Sequence, residues 1–167
     1  MILDTNIKEF KLRFATVSDV ALILQFIREL AEYEHMEDEV VATEDTLTEF
    51  LFQQKKGEVL IGEYEQKPVC FALFFHNFST FLGRPGIYLE DLYVKPEMRG
   101  MGFGKILLSV LAKLAIERKC GRLEWACLDW NEPSIQFYKK LGGMPMDQWT
   151  IFRVQEDSLK ELACKFE

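Results

Sequence analysis

Two hydrophobic rhythms alternate along the chain. Glu9–Ala15 alternates apolar and polar residues, as a strand with one buried face does. Thr16-Val17-Ser18-Asp19 then has the form of a capping box with Asp in the Glu position. Behind it Val20, Ile23, Leu24, Ile27 and Leu30 follow at helical spacing, and the helix runs into an acidic stretch of Glu32, Glu34, Glu37, Asp38 and Glu39. Thr43-Glu44-Asp45-Thr46 opens a second helix, through about Gln54. Glu58–Tyr64 and Pro68–Phe78 read as strands joined by a polar turn at Glu65-Gln66-Lys67, and Gly86–Val94 as a third long strand. The helix from Phe103 to about Arg118 carries Phe103, Ile106, Leu107, Val110, Leu111 and Leu114 on one stripe. Arg122–Leu128 is a strand. Asn131 caps a helix with Pro133 in its first turn, which Gly142-Gly143 ends. Trp149–Val154 reads as a late strand and Asp157–Lys165 as a short last helix. The order β-α-α-β-β-β-α-β-α-β-α predicts an α/β fold with a mixed sheet.

Composition narrows this picture. A chain of 167 residues, 49% hydrophobic, is enough for one domain over 1–167 with a real core. No apolar run reaches spanning length, and Met1-Ile2-Leu3-Asp4-Thr5 lacks a basic start, so a soluble cytoplasmic chain that does not act at a membrane is expected. A net charge of −7 disfavours a nucleic-acid binder and suits a cationic substrate as well as plain solubility. Cys70, Cys120, Cys127 and Cys164 form no C-x-x-C pair and lie among apolar neighbours, the pattern of buried free thiols. His35 and His76 stand in no recognisable motif, so no metal site is expected.

The chemistry concentrates in Tyr88–Lys105. An apolar strand holding Glu90-Asp91 leads into Arg99-Gly100-Met101-Gly102-Phe103-Gly104-Lys105 and so into a helix. A tight turn needs positive φ at one or two positions; three alternating glycines over-supply that need. Backbone N–H groups at such a helix start can cradle an anion, with Arg99 as a bidentate partner. The loop lacks the Gly-Lys-Ser/Thr ending of a Walker motif and the G-x-G-x-x-G spacing of a dinucleotide fold. Strand alternation turns Glu90 and Asp91 to opposite faces unless a bulge intervenes.

Val94-x-Pro96-x-x-Arg99-Gly100-x-Gly102-x-Gly104 resembles the acetyl-CoA-binding motif of the GCN5-related N-acetyltransferases (GNAT), whose fold is a mixed, mostly antiparallel sheet flanked by helices. Glu29-Leu30-Ala31-x-Tyr33-Glu34, Tyr88-Leu89-Glu90-Asp91 and Trp130-Asn131-Glu132-Pro133-Ser134-Ile135-x-Phe137-Tyr138-Lys139 extend the resemblance to the diamine (spermidine/spermine) and thialysine acetyltransferase branch.

That resemblance implies acetyl-CoA as co-substrate and a small cationic amine as acceptor. It casts Tyr138 as the general acid for the departing sulfur and Glu90 as the acceptor of the amine proton. Tyr33, Glu34, Glu90 and Asp91 take substrate-binding positions. Leu92, Tyr93 and Val94 meet the pantetheine arm, Leu92 and Val94 by main chain. Arg99, Gly100, Met101, Gly102, Phe103, Gly104 and Lys105 hold the pyrophosphate; Asn131, Pro133, Ser134, Tyr138 and Lys140 complete the cofactor set. The acidic segment through Glu39 is a candidate lining for a polyamine channel. The chain is shorter between Tyr138 and Trp149 than in the spermidine/spermine enzymes, and only Asp147 offers the acid they place before the tryptophan. A shorter diamine or thialysine is therefore as good an expectation as a polyamine. The branch also implies a homodimer, with Trp149–Val154 as exchange element. Acetylation of protein lysines or N-termini, and a non-catalytic acetyl-CoA-binding module, are the competing readings.

Overall fold

The computed structural model describes residues 2–166, with the backbone alone for Ile2 and Asp4. The chain divides into two compact units, Met1–Ala126 and Cys127–Glu167.

Among the described residues the first unit is built on six strands: β1 (Ile2–Asp4), β2 (Phe10–Phe14), β3 (Glu58–Tyr64), β4 (Lys67–Ser79), β5 (Arg84–Val94) and β6 (Leu123–Trp125). They lie in chain order across one sheet. Every neighbouring pair is antiparallel except β5 and β6, which run parallel because α3 (Phe103–Glu117) carries the chain back between them. Between β2 and β3 lie α1 (Val20–Glu34) and α2 (Glu44–Leu47), the latter continued by a π-helical turn over Thr48–Gln53. β1 is an addition to the expected elements. β6 is shorter than the expected Arg122–Leu128.

Alternation along the strands sorts the core into two layers. Val59, Ile61, Phe71 and Tyr93 pack with Ile23 and Phe26 of α1. Phe26 stacks on Phe71 at 5.3 Å between ring centres. The opposite face meets α3, where Phe103 stacks on Phe10 at 4.0 Å. Gly62 allows that layer to close: a Cβ there would lie 2.3 Å from Cys70 Sγ and 2.9 Å from the Phe10 ring.

Charged groups pin the helix ends. The expected capping box forms, with Asp19 Oδ2 accepting from Thr16 N–H at 2.8 Å, and it opens a short 3-10 turn ahead of α1. Asp19 also takes a bidentate pair from Arg13 at 2.8 Å, which holds its carboxyl down at about 2. Arg118, capping α3, forks onto Glu58 of β3.

In the second unit, α4 (Glu132–Lys140) starts as expected, with Asn131 Oδ1 accepting from Ser134 N–H at 3.3 Å; α5 spans Glu156–Ala163. Trp149–Val154 is a correction: it forms no strand. Among the described residues its unit contains no other strand, so it has no ladder to join. Its apolar side chains are exposed, Phe152 at 90%. Of the cysteines, expected as buried thiols, only Cys70 is fully buried, and Cys164 is exposed on the last helical turn. No helix among the described residues is long and apolar enough to cross a membrane.

Candidate active site

The alternation of β5 breaks at Glu90. Leu89 pairs with Phe74 of β4, and Asp91 pairs with Leu73, leaving Glu90 as the extra residue of a bulge. The bulge reverses the parity of the strand. Tyr88, Asp91 and Tyr93, opposite Phe75, Leu73 and Phe71, now share the α1 face. Without it Asp91 would turn toward α3.

Asp91 is mostly enclosed while Glu90 is exposed. Burial, and then the carboxylates of Glu90 and Glu34, push the Asp91 carboxyl up to about 7. Glu34, on the last turn of α1, is itself raised by burial. The helix stops there because His35 adopts the left-handed conformation, φ 59° and ψ 40°, and returns its N–H to Ala31 and Glu32. Three carboxyl groups from two elements thus share one electrostatic site.

The rest of the acidic segment lies elsewhere. Glu29, Glu32, Glu37 and Glu44 line an open cleft of about 520 Å³ with Arg28 and Gln25. Glu34 stands about 200° around the helix from Glu32. Glu32 and Glu34 therefore face different sides of α1. Glu29 is bridged to Lys95 at 3.5 Å and accepts from Gln25 at 2.6 Å.

Past Leu89 the outer edge of β5 is open, since β6 pairs only with Ile87–Leu89. The Lys95 N–H donates to Val69 of β4 at 3.0 Å. In a trans peptide the Val94 C=O then points the opposite way, out over the open edge. Such an edge can take an extended ligand by main-chain pairing. Val94 C=O already accepts from Arg99 Nε at 3.0 Å, a contact with no signal in the sequence. Tyr93 and Phe103 offer backbone only. Their rings belong to the two core layers, the residues being 4% and 1% exposed.

The glycine loop has the features an anion needs. Gly100 and Gly102 adopt φ of 82° and 88°, and Gly102 is the N-cap of α3. The third glycine, Gly104, lies inside the helix. No side chain caps this end, and no acidic residue lies in its first turn. The first intrahelical bond is Ile106 N–H to Gly102 C=O, so the N–H groups of Phe103, Gly104 and Lys105 lead out of the helix. Lys105 and Met101 are exposed beside them.

Arg99 spreads over this junction. Its guanidinium carbon lies 4.4 Å from the centre of the Tyr33 ring and 6.0 Å from that of Tyr93. It links the loop to the end of α1 that also carries Glu34.

The other expected residues belong to the second unit. Asn131 is buried as the α4 cap. Ser134 and Tyr138 are half-buried, and Pro133 and Lys140 are exposed. The Tyr138 ring tilts against Phe137 at 5.3 Å.

The model of the acetyltransferase (GNAT) family matches residues 24–143, and the chain belongs to that family as an N-acetyltransferase. Members of the family use acetyl-CoA. The chain is 37% identical to the thialysine N-epsilon-acetyltransferase of Bos taurus, over 92% of this chain and 97% of that one. It is 28% identical to the L-ornithine N5-acetyltransferase of Arabidopsis thaliana, over 91% and 87%. Among solved structures, an integron cassette protein from the mobile metagenome of V. cholerae superposes with a TM-score of 0.79 at 24% identity, covering 93% of this chain and 98% of that one. The residues present fit acetyl-CoA: positive-φ glycines, an uncapped helix start and an unpaired strand edge meet in one place.

Proposed function

We propose that this enzyme transfers acetyl from acetyl-CoA to the primary amine of a small cation, a thialysine-like amino acid, a diamine or a polyamine, by direct attack on the thioester. The observation that carries the reading is the bulge at Glu90, which brings Asp91 onto the face shared with Glu34, beside the open edge of β5. A cationic substrate suits such a site, because an ammonium opposes both the burial penalty on a charged Asp91 and its repulsion by Glu90 and Glu34. The relatives named for thialysine and ornithine support an amine of this class.

Acetyl-CoA supplies an activated acetyl thioester. Its pyrophosphate is assigned to Arg99 and the loop through Lys105, and its pantetheine arm to the main chain of Leu92–Val94. Asn131, Pro133, Ser134 and Lys140 complete that set. Tyr33, Glu34 and Asp91 hold the ammonium. A primary ammonium titrates near 10, so it must lose a proton before it attacks. Glu90, exposed to water, accepts that proton, with Asp91 beside it as a carboxyl that titrates close to neutral pH. As the C–N bond forms and the C–S bond breaks, Tyr138 would give its proton to the sulfur and would be reprotonated by the second proton that the new amide nitrogen sheds. No metal enters this scheme.

The same reading takes the chain as one catalytic domain in the cytoplasm, with no nucleic-acid or membrane partner. It forms a homodimer, for which the exposed Trp149, Ile151 and Phe152 supply apolar surface. Thiol release from acetyl-CoA over a panel of thialysine, ornithine, lysine, diamines, polyamines and peptides tests the function. Turnover with small amines and none with peptides is expected. Preference for peptides would favour the protein-acetylating alternative. Tight CoA binding without turnover on any amine would favour the non-catalytic one.

A further inference from the structure

An arginine has two kinds of surface, a planar face that stacks and an edge of N–H donors that forks. Arg99 uses them in different directions. Its guanidinium carbon lies over the Tyr33 ring, 4.4 Å from the ring centre, and one edge donor, Nε, is spent on the outward-pointing Val94 C=O at 3.0 Å. Among the described residues it forms no ion pair, so the donors on its two terminal nitrogens remain for an anion. Tyr33 precedes Glu34 on the last turn of α1, just before the left-handed His35 ends the helix. The ring is half-buried, so its orientation depends on what covers it.

We infer that Arg99 is a positioning residue for the amine side of the site, acting through the Tyr33 ring, in addition to any contact it makes with the cofactor phosphate. This rests on the proposed reading of Tyr33 as an amine-side residue. One guanidinium then serves both half-sites at once: the edge faces the anion, and the face holds the aromatic wall beside Glu34. Loss of the planar face loosens the amine end even where the positive charge is kept.

A kinetic double-mutant cycle separates this role from phosphate binding. Arg99→Lys retains charge and lacks the planar face and the Nε donor. In the wild-type background it lowers kcat/KM for the best amine roughly fivefold, the size of a partly exposed cation–π contact. In the Tyr33→Leu background the same substitution loses this ring-dependent fivefold factor, and whatever loss of amine kcat/KM remains matches the shift in acetyl-CoA binding. In the Tyr33→Phe background, where the ring survives, the fivefold effect returns. The Kd for acetyl-CoA, read by calorimetry, shifts by the same factor in all three backgrounds, because the phosphate edge does not involve Tyr33. An equal loss of amine kcat/KM with and without the aromatic ring would overturn the inference. If the wild-type enzyme turns over no amine, it is the proposed function that fails. The Arg99–Tyr33 contact is then still read from melting temperatures, where non-additive shifts in the same cycle support it and additive ones refute it.

Discussion

Asp91→Asn makes the protein more stable and less active, and the size of the gain depends on pH. In the folded chain the Asp91 carboxyl is raised from 3.8 to about 7, by burial first and then by Glu90 and Glu34. The unfolded chain gives up that proton near pH 4, while the fold retains it until about pH 7. Between these values the unfolded state binds fewer protons, so stability falls as pH rises, at about 1.4 kcal/mol per pH unit. The full window is worth on the order of 4 kcal/mol. Asn mimics the protonated carboxyl and carries no such penalty. Urea denaturation of wild type and variant at pH 4, 5.5, 7 and 8 checks this. The two should coincide at pH 4 and diverge steadily, with the variant ahead by the full amount at pH 8. Contributions from titrating groups that do not interact with Asp91 cancel in the difference. The corresponding rise in melting temperature at pH 8 is roughly 8–16 °C for a chain of this size. A difference that stays flat with pH would show that the fold does not hold Asp91 protonated, and the acidic site built around it would fall. In the same variant, amine kcat/KM should drop while the Kd for acetyl-CoA is unchanged, the usual conflict between a strained site and stability.

Three further outcomes are expected. Gly102→Ala places a Cβ at φ 88°, costing about 1 kcal/mol, but meets only Ile7 at 3.5 Å; the fold survives, and acetyl-CoA KM should rise about tenfold because the N-cap of the anion site shifts. An unaltered KM would remove Gly102 from that site. Tyr138→Phe should lower kcat on the order of a hundredfold with CoA affinity retained; pre-steady-state thiol release at the normal rate would exclude the acid role. Asp19→Asn removes the carboxylate held at about 2 by Arg13. Because that pKa is depressed, its contribution of about 2 kcal/mol is present above pH 4 and disappears as pH falls through about 2. The variant should therefore melt roughly 4–8 °C lower at pH 7 and match wild type near pH 2, by calorimetry.

Much of this molecule is legible in local pattern. The long strands, the stripes of α1 and α3, the Thr16–Asp19 capping box and the Asn131 cap depend on neighbours within a few residues, and they form within a residue or two of where the pattern puts them. The loop is legible for the same reason: alternating glycines ahead of an apolar helix leave few backbone options, and Gly100 and Gly102 take the left-handed conformation. Reading fails where an element depends on a partner. β1 exists because β2 is there to pair with it. Trp149–Val154 has strand composition but no ladder within its unit.

The amino-acid sequence alone determined which residues could bind an anion or move a proton, because those capacities reside in side-chain chemistry and short-range backbone geometry. It could not determine which of them act together. Which face Asp91 takes was decided by one bulged residue in the β4–β5 register. The partnership of Asp91 with Glu34, and of Arg99 with Tyr33, was decided by the packing of α1 across β5. A one-residue change of register turns every later side chain of a strand to the other face, and that register is set by contacts between segments far apart in the chain.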